Sequence, residues 1–569
     1  KSIEVDKDNA FYCSEDGVLF NKDKTVLISY PAARPGNSYI VPDSVKSIGN
    51  YAFMDNTKIE SITLPNGLTD IGEESFYNCT LLGSIVLPDS VTSVASKAFY
   101  SCSAMKSVVI GQNVGKIGDS AFRNCFKLTE VYNFSALPLL KGSNDYGMVA
   151  YNALYVYTSG EEERKLTTTE DGYIFFEDGE TVYLTGYSGT ETELTLPDTF
   201  NGKKYAIRQY AFYDCRSIVS ISIPDGVTSI GVSAFRGCTS LERVYITSIS
   251  AWCAISFENE YANPLSQAGR LYLNGKLVTN LVLPDSVTSI PNYCFNNCTS
   301  LVSITLGSGV TSIGTSAFEG CVRLIEIYNF SSLPLKIDSL NYGYIAQYAL
   351  YIYKSAEEQS KLFTDRDGYI FCVDAGVVRL VAYEGEETSL VLPDSFNGER
   401  YEIYNNAFYA NRQLVKVVIP KGVTIIGDFA FYDCSSLKDV ILAEGVTGIC
   451  SFSFGGCTSL TNIVLPDSLT EFWGSAFSNC SSLTSITIPA CVTSLDDYTF
   501  SGCSSLTTIT IPASITSIGI SCFASCGSLA HINYDGTIAN WNAIVKYDYW
   551  DDNTGNYTVH CTDGDFAQM

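Results

Sequence analysis

Histidine is almost missing from this chain of 569 residues: His531 and His560 are the only two. Neither sits in a nucleophile signature. No G-x-S-x-G, phosphate-binding G-x-x-x-x-G-K or dinucleotide-binding G-x-G-x-x-G is present, so the sequence supplies no catalytic constellation and no cofactor site. Basic residues are also short, with 35 Lys and Arg against 61 Asp and Glu and a formal net charge of −26. Nucleic acid and anionic membranes both require clustered Lys and Arg, and this balance argues against them as partners. No uninterrupted apolar run approaches the roughly 18 residues that a membrane-spanning helix needs. The first residues, from Lys1, hold no signal-like apolar segment, a feature that a mature secreted chain and a cytosolic one would share. Despite 20 cysteines there is no C-x-x-C and no Cys/His cluster at metal-ligand spacing, so no metal site is assigned.

What the chain does have is a period. A small residue followed by Phe recurs at Phe53, Phe76, Phe99, Phe122, Phe212, Phe235, Phe295, Phe318, Phe408, Phe431, Phe454, Phe477, Phe500 and Phe523. The same 23-residue step separates neighbours everywhere except at three breaks, from Phe122 to Phe212, from Phe235 to Phe295 and from Phe318 to Phe408. Six positions after each Phe stands a bulky apolar residue, nine after stands Ile or Val, and at twelve Pro is frequent, as in Pro65, Pro88, Pro466 and Pro489. The stretch from Leu483 through Ile486 to Ile488 alternates apolar and polar residues, the mark of a short strand with one buried face. Proline beyond it ends the strand because it has no N–H to give. Val492, Leu495 and Phe500 then return to the same interior. A single coil of this size cannot cover its apolar stripe, whereas stacked coils cover one another. The expected fold is therefore a mostly β repeat solenoid of 23-residue coils, with a parallel sheet on its concave face and strands about 4.8 Å apart.

The pattern C-x-x-L-x-x-I-x-I-P-x-x-V-T-x-I-G-x-x-A-F, seen as SVKSIGNYAF at 44–53 and SLTSITIP at 482–489, resembles the BspA-type (Treponema pallidum-type) leucine-rich repeat. The resemblance implies a non-enzymatic binding scaffold that is extracellular or on the cell surface. Proteins with this repeat are mostly surface or secreted proteins of bacteria and some parasitic protists, many of them implicated in adhesion. On that basis the partner is a protein or glycan. The alternative is a non-catalytic carbohydrate-binding or spacer module of a larger secreted assembly.

The first and third breaks are 90-residue gaps and copies of one another: Val131-YNFSALPLL matches Ile327-YNFSSLPLK, and Asp171-GYIF matches Asp367-GYIF. Asp16-GVLF near the start is a shorter relative. Asp-Gly before an alternating run signals a hairpin, so these segments read as β-hairpin elaborations. The middle, 60-residue gap holds ISAWCAISF at 249–257, and the tail holds a cognate, TIANWNAIV at 537–545. In both, Trp precedes Ile by three positions (Trp252 and Ile255, Trp541 and Ile544), a spacing that suits one face of a helix. The expected organisation is a hairpin cap over 1–40, a solenoid over 41–534 with insertions at about 133–195, 247–280 and 329–391, and a helical C-terminal cap over 535–569.

Twelve cysteines lie three positions after a repeat Phe: Cys79, Cys102, Cys125, Cys215, Cys238, Cys298, Cys321, Cys434, Cys457, Cys480, Cys503 and Cys526. Asn56 and Asn411 hold the other two places. This alternation predicts a structural ladder in which small polar groups satisfy turn backbone, with the thiols buried and reduced. Cys294 and Cys522 are the small residue before a Phe; Cys13, Cys253, Cys372, Cys450, Cys491 and Cys561 have no repeat role. For ligand binding, the strand positions seven, eight and ten after each Phe point outward and are mostly Ser, Thr and Val. Position ten is instead aromatic at Tyr132, Tyr245 and Tyr328, each opening an insertion. These three, with Trp252 if its insertion leaves it exposed, are the candidate ligand-binding residues, since tyrosine offers both a flat apolar face and a hydroxyl. The competing expectation is that each tyrosine packs under its own insertion. Asp365-R-D-Gly368 and the acidic run from Asp551 faintly resemble calcium loops but lack the remaining ligands, so both read as turns.

Overall fold

The computed structural model describes all residues except 161, 163, 356, 568 and 569, so the last two residues of the expected C-terminal cap lie outside it. The chain forms a mostly β leucine-rich-repeat solenoid and divides into two compact units. One unit comprises residues 1–218, 224–239 and 255–264; the other comprises 219–223, 240–254 and 265–569.

The coil that begins at Phe477 shows the plan. Its strand Ser485–Thr487 buries Ile486 and turns Ser485 and Thr487 outward. Leu483, Val492, Leu495 and Phe500 are all at or below 1% exposure, so both legs of the coil fill one interior. A second strand, Ser494–Leu495, lies on the return leg. Register is set by position: Ile486 pairs with Ile509, and Leu495 with Ile518, each in parallel with its equivalent in the next coil. Identical positions therefore stack. The Phe rings stack from Phe53 to Phe122 in the first unit and from Phe408 to Phe523 in the second, with centroid separations of 4.8–5.7 Å. That spacing is close to the strand separation, as it must be when one ring hangs from each rung of a parallel ladder.

On the side opposite the strand face, turns replace helices. In one example the N–H groups of Tyr51, Phe53 and Asp55 donate to the carbonyls of Glu73, Ser75 and Tyr77 in the next coil, at 2.7–2.9 Å. Presenting three donors to one neighbour requires the backbone to alternate in hand. The residues two before and two after the repeat Phe have positive φ, among them Tyr51, Glu74, Lys97 and Phe429 before, and Asp55, Asn78, Gly237 and Gly456 after.

The first strands form an antiparallel meander, Tyr12–Glu15, Val18–Asn21 and Val26–Ser29. Asp16 and Gly17 both have positive φ, the requirement of a two-residue hairpin turn. Tyr30 then stacks on Phe53 at 4.9 Å and ends the ring spine of that unit.

The insertion in each 90-residue gap is more than a hairpin. It first lays down one further rung: Tyr155–Tyr157 pairs in parallel with Glu130–Asn133, and Tyr351–Tyr353 with Glu326–Asn329. The step to this rung is slightly longer than that of an ordinary coil, bringing Val131 to Val156 and Ile327 to Ile352, because a 3-10 turn takes up the extra length. Gly147 and Gly343 stand in those turns at positive φ, and a Cβ on either would lie 2.4 Å from a carbonyl oxygen of the preceding coil. The antiparallel strands follow, Leu166–Thr168, Tyr173–Asp178 and Thr181–Tyr187 in the first copy.

The short helices differ from the expectation built on Trp and Ile spacing. Ile249–Trp252 ends with Cys253 as its C-cap, and Ile538–Ala543 ends with Ile544 as its C-cap in extended conformation. Ile255 and Ile544 are buried but are not on a helical face, since helices this short suffice to sink the tryptophan and the chain then extends. The tail also adds strands: Thr558–Cys561 pairs in parallel with His531–Tyr534 and in hairpin with Gly564–Ala567.

Candidate functional site

The tenth position of successive coils forms an in-register row on the strand face. Val86 lies beside Val109 and Val109 beside Tyr132 in one unit; Val391, Val418, Ile441 and Val464 run side by side in the other. Strand pleating puts the ninth position inside and the tenth outside, so these aliphatic side chains face water. Ile40, Val86, Val282, Val391, Ile441 and Val464 are 48–75% exposed. In the first unit the row borders a groove of about 810 Å3 lined by Val86, Val109, Pro88 and the exposed Phe134.

The row changes character at the insertions. Tyr132, Tyr245 and Tyr328 are half-buried, each covered on one side by an aromatic residue of the rung that follows. Tyr132 stacks on Tyr157 with centroids 4.4 Å apart, Tyr245 leans on Tyr272 at 4.9 Å and Tyr328 on Tyr353 at 4.8 Å. Trp252 is 1% exposed, and its indole N–H donates to the Cys294 carbonyl at 3.0 Å. Its insertion does not leave it exposed, so it offers no surface to a ligand.

Beneath the tyrosines lies a pair that the sequence did not single out. Glu130 and Glu326 occupy the eighth position, outward-facing in ordinary coils, yet both are at or below 1% exposure because the extra rung covers them. Glu130 accepts from Tyr157 Oη at 2.8 Å, from Arg164 Nε at 3.1 Å and from Tyr132 Oη at 3.4 Å. Glu326 accepts from Tyr353 Oη at 2.9 Å, Ser360 Oγ at 2.7 Å, the Lys361 amide at 2.7 Å and Tyr328 Oη at 3.5 Å. Burial first, and then the adjoining carboxylate, push the Tyr353 phenol well above its usual range. These phenols are thus held as donors. The one available signal was the acidic residue itself, at a position filled by Ser in many other coils, as at Ser84 and Ser485.

The cysteine column has a definite geometry. Ten of the twelve thiols donate to the carbonyl of the repeat Phe in the preceding coil, as Cys79 does to Phe53 and Cys480 to Phe454, at 3.1–3.2 Å. Cys215 and Cys298 make other contacts instead, with Tyr213 O and Ser300 Oγ. Both open a run of coils, where no repeat Phe precedes at that interval. Asn56 and Asn411 also open runs; Asn56 Oδ1 accepts from the amides of Lys58 and Ile59 within its own turn. Burial raises the thiol pKa of Cys79, Cys434 and Cys480 to about 12. All twenty cysteines are free thiols.

The other candidates of the sequence are engaged locally. Asp365 Oδ1 accepts from the amides of Asp367 and Tyr369, closing a turn, and Asp551 Oδ2 accepts from Tyr557 Oη. His531 Nδ1 and His560 Nε2 are 3.0 Å apart on neighbouring strands, with His560 Nδ1 3.1 Å from Asp565. Among the described residues, no group of three or more His, Cys, Asp or Glu could hold a metal ion, and no helix is long and apolar enough to cross a membrane.

No curated protein gives a significant sequence match. Several solved structures are similar. A leucine-rich repeat protein of T. pallidum is 28% identical over 30% of this chain and 80% of its own, with a TM-score of 0.29. A leucine-rich cell surface protein of Faecalibacterium prausnitzii is 25% identical over 68% of this chain and 99% of its own, with a TM-score of 0.28. A leucine-rich repeat protein of Bacteroides capillosus is 28% identical over 22% of this chain and 97% of its own, at a TM-score of 0.20. The family described as the BspA type leucine-rich repeat region matches in six copies over residues 35–140, 192–262, 270–354 and 401–530, more than half of the sequence. With its coils, strands and ring spine arranged as that repeat requires, the chain belongs to the BspA-type leucine-rich-repeat family.

Proposed function

We propose that this chain is a non-catalytic scaffold, displayed at the cell surface or secreted, that holds a protein partner on its strand face in an adhesive role. The observation that carries the reading is the exposed aliphatic row at the tenth position, Val391 through Val464 in particular. Contiguous apolar surface kept in water by a rigid sheet marks an interaction site more often than chance exposure does. Leucine-rich-repeat solenoids typically work by binding rather than by catalysis. Tyr132, Tyr245 and Tyr328 extend the row within their own units with the edges that remain exposed. One face of each ring is covered, by Tyr157, Tyr272 and Tyr353, which leaves less open aromatic surface for a sugar ring and favours a protein partner over the alternative of a carbohydrate module.

The test is a panel of purified cell-surface and matrix proteins alongside glycans, probed with the intact chain and two triple variants. Replacing Val391, Ile441 and Val464 by Asp should abolish protein binding and leave the melting temperature nearly unchanged, because all three side chains are exposed. Replacing Tyr132, Tyr245 and Tyr328 by Thr should weaken binding and also lower the melting temperature, since each ring is half-buried. Full binding by the aspartate variant would sink the reading.

A further inference from the structure

The insertions in the two 90-residue gaps diverge at the mouth of their buried carboxylates. In the first, Arg164 reaches Glu130 with Nε while most of its side chain lies on the surface. Burial lowers the pKa of Lys106, and Lys127 and Arg164 nearby add to the effect, so the mouth of this copy is cationic. At the equivalent places of the second copy, Ser360 replaces Arg164, Val302 replaces Lys106 and Glu384 replaces Ser188. Ser360 Oγ takes the hydrogen bond on Glu326 that the guanidinium holds on Glu130. Beside Ser360 lies a cleft of about 300 Å3, bordered by Glu326, Ser360, Glu384 and Tyr328, with Val302 and Ile370 as apolar wall.

The charges in this cleft are not balanced from within. Glu326 takes its four hydrogen bonds from neutral donors, three hydroxyls and an amide. Glu384 is exposed and accepts from Thr279 Oγ1 at 3.4 Å. Arg379, the cation of this insertion's ion pairs, is engaged by Asp374 and Glu402. Among the described residues, no ion pair reaches Glu326 or Glu384. A carboxylate held in low dielectric projects its field into the adjoining cavity, where a cation is drawn more strongly than to open surface.

We propose that this cleft is a binding site for a guanidinium group, that of an arginine on a partner protein, seated where the first copy seats its own Arg164. The methylene stem lies along Val302 and Ile370, and the planar head meets the Glu384 carboxylate and the Tyr328 ring above the buried Glu326. The cleft stands on its own geometry; the source of the arginine rests on the scaffold reading. Ser360 is exposed, and the first copy shows that the same fold carries arginine there.

The experiment titrates the full chain with N-acetyl-arginine amide, followed by NMR or calorimetry. N-acetyl-citrulline amide, neutral and of the same shape, is the control. The arginine probe is expected to bind and the citrulline probe not to bind. S360R should abolish binding by filling the cleft, and Glu384→Gln should weaken it by about fivefold or more. Should S360R lose its melting transition, Glu384→Lys at an exposed position serves as the block. Equal binding of citrulline, or unchanged affinity in the blocked variant, overturns the proposal. Equal binding of N-acetyl-lysine amide overturns the guanidinium assignment. Failure here leaves the strand-face test standing, since Val391, Ile441 and Val464 do not line this cleft.

Discussion

The insertions in the first and second 90-residue gaps are built to one plan and finished with opposite charge at the mouth of the buried glutamate. Both lay an extra rung on the strand face, both bury a glutamate at the eighth position, and both place a left-handed glycine where the ring spine stops. Their cations differ. Just after the first, Arg208 donates to the Asn152 carbonyl, whereas just before the second Arg323 donates to the carbonyls of Asn406 and Tyr409. Burial lowers the pKa of each to about 10. The contrast separates two kinds of constraint. Contacts that keep coils stacked are shared between the copies, whereas the charges that ring the glutamate are free to differ because the stack does not depend on them.

That division can be tested by substitution. The largest effect should come from the shared interior. Phe454, fully buried between Phe431 and Phe477, should cost roughly 3–5 kcal/mol when replaced by Ala, measured by denaturant unfolding. A loss below about 1 kcal/mol would mean that the ring spine is not the core. Next come Gly147→Ala and Gly343→Ala. Each adds a Cβ that meets a carbonyl oxygen at 2.4 Å on left-handed backbone, so each should destabilise by about 2 kcal/mol or more, and by similar amounts in the two copies. Unequal losses would break the claim of a common plan. The smallest effect belongs to the divergent charge: Arg164→Ser should cost no more than about 1 kcal/mol, and less at high salt, because the arginine is 64% exposed. A larger, salt-independent loss would place Arg164 among the structural contacts.

Much of this was legible in the sequence, because stacking repeats the same demand in every coil. The small-Phe pair, the apolar sixth and ninth positions and the cysteine column announce themselves through recurrence alone. The left-handed residue two after each Phe could be read as well, since Asp, Asn and Gly crowd there. Its counterpart two before could not. Tyr51, Glu74, Lys97 and Phe429 are poor left-handed residues, and only the inter-coil hydrogen bonds of the turn hold them in that conformation. Burial of Glu130 and Glu326 was hidden for another reason. It depends on a rung and on hydrogen-bond partners that the insertions supply, Tyr157 and Arg164 in one copy and Tyr353 and Ser360 in the other, outside the period that made everything else visible. Asn stands only where a coil opens a run and no repeat Phe carbonyl precedes at the regular interval, although Cys215 and Cys298 keep a thiol at the other two such places.

The turn ladder also bears on how the chain yields to force. From Phe408 to Phe523 turn and thiol contacts fasten each coil to its neighbour at the same positions, while the parallel strand ladder is interrupted once, between Asn462–Val464 and Ser485–Thr487, which makes that step the weakest of the run. A pull on the C-terminal end of that run loads one rung at a time and should peel the coils in sequence, each event releasing about 80 Å of slack as one coil straightens. A run built this way dissipates a sudden load in small steps, and the coils still stacked remain a template on which the released ones can re-form.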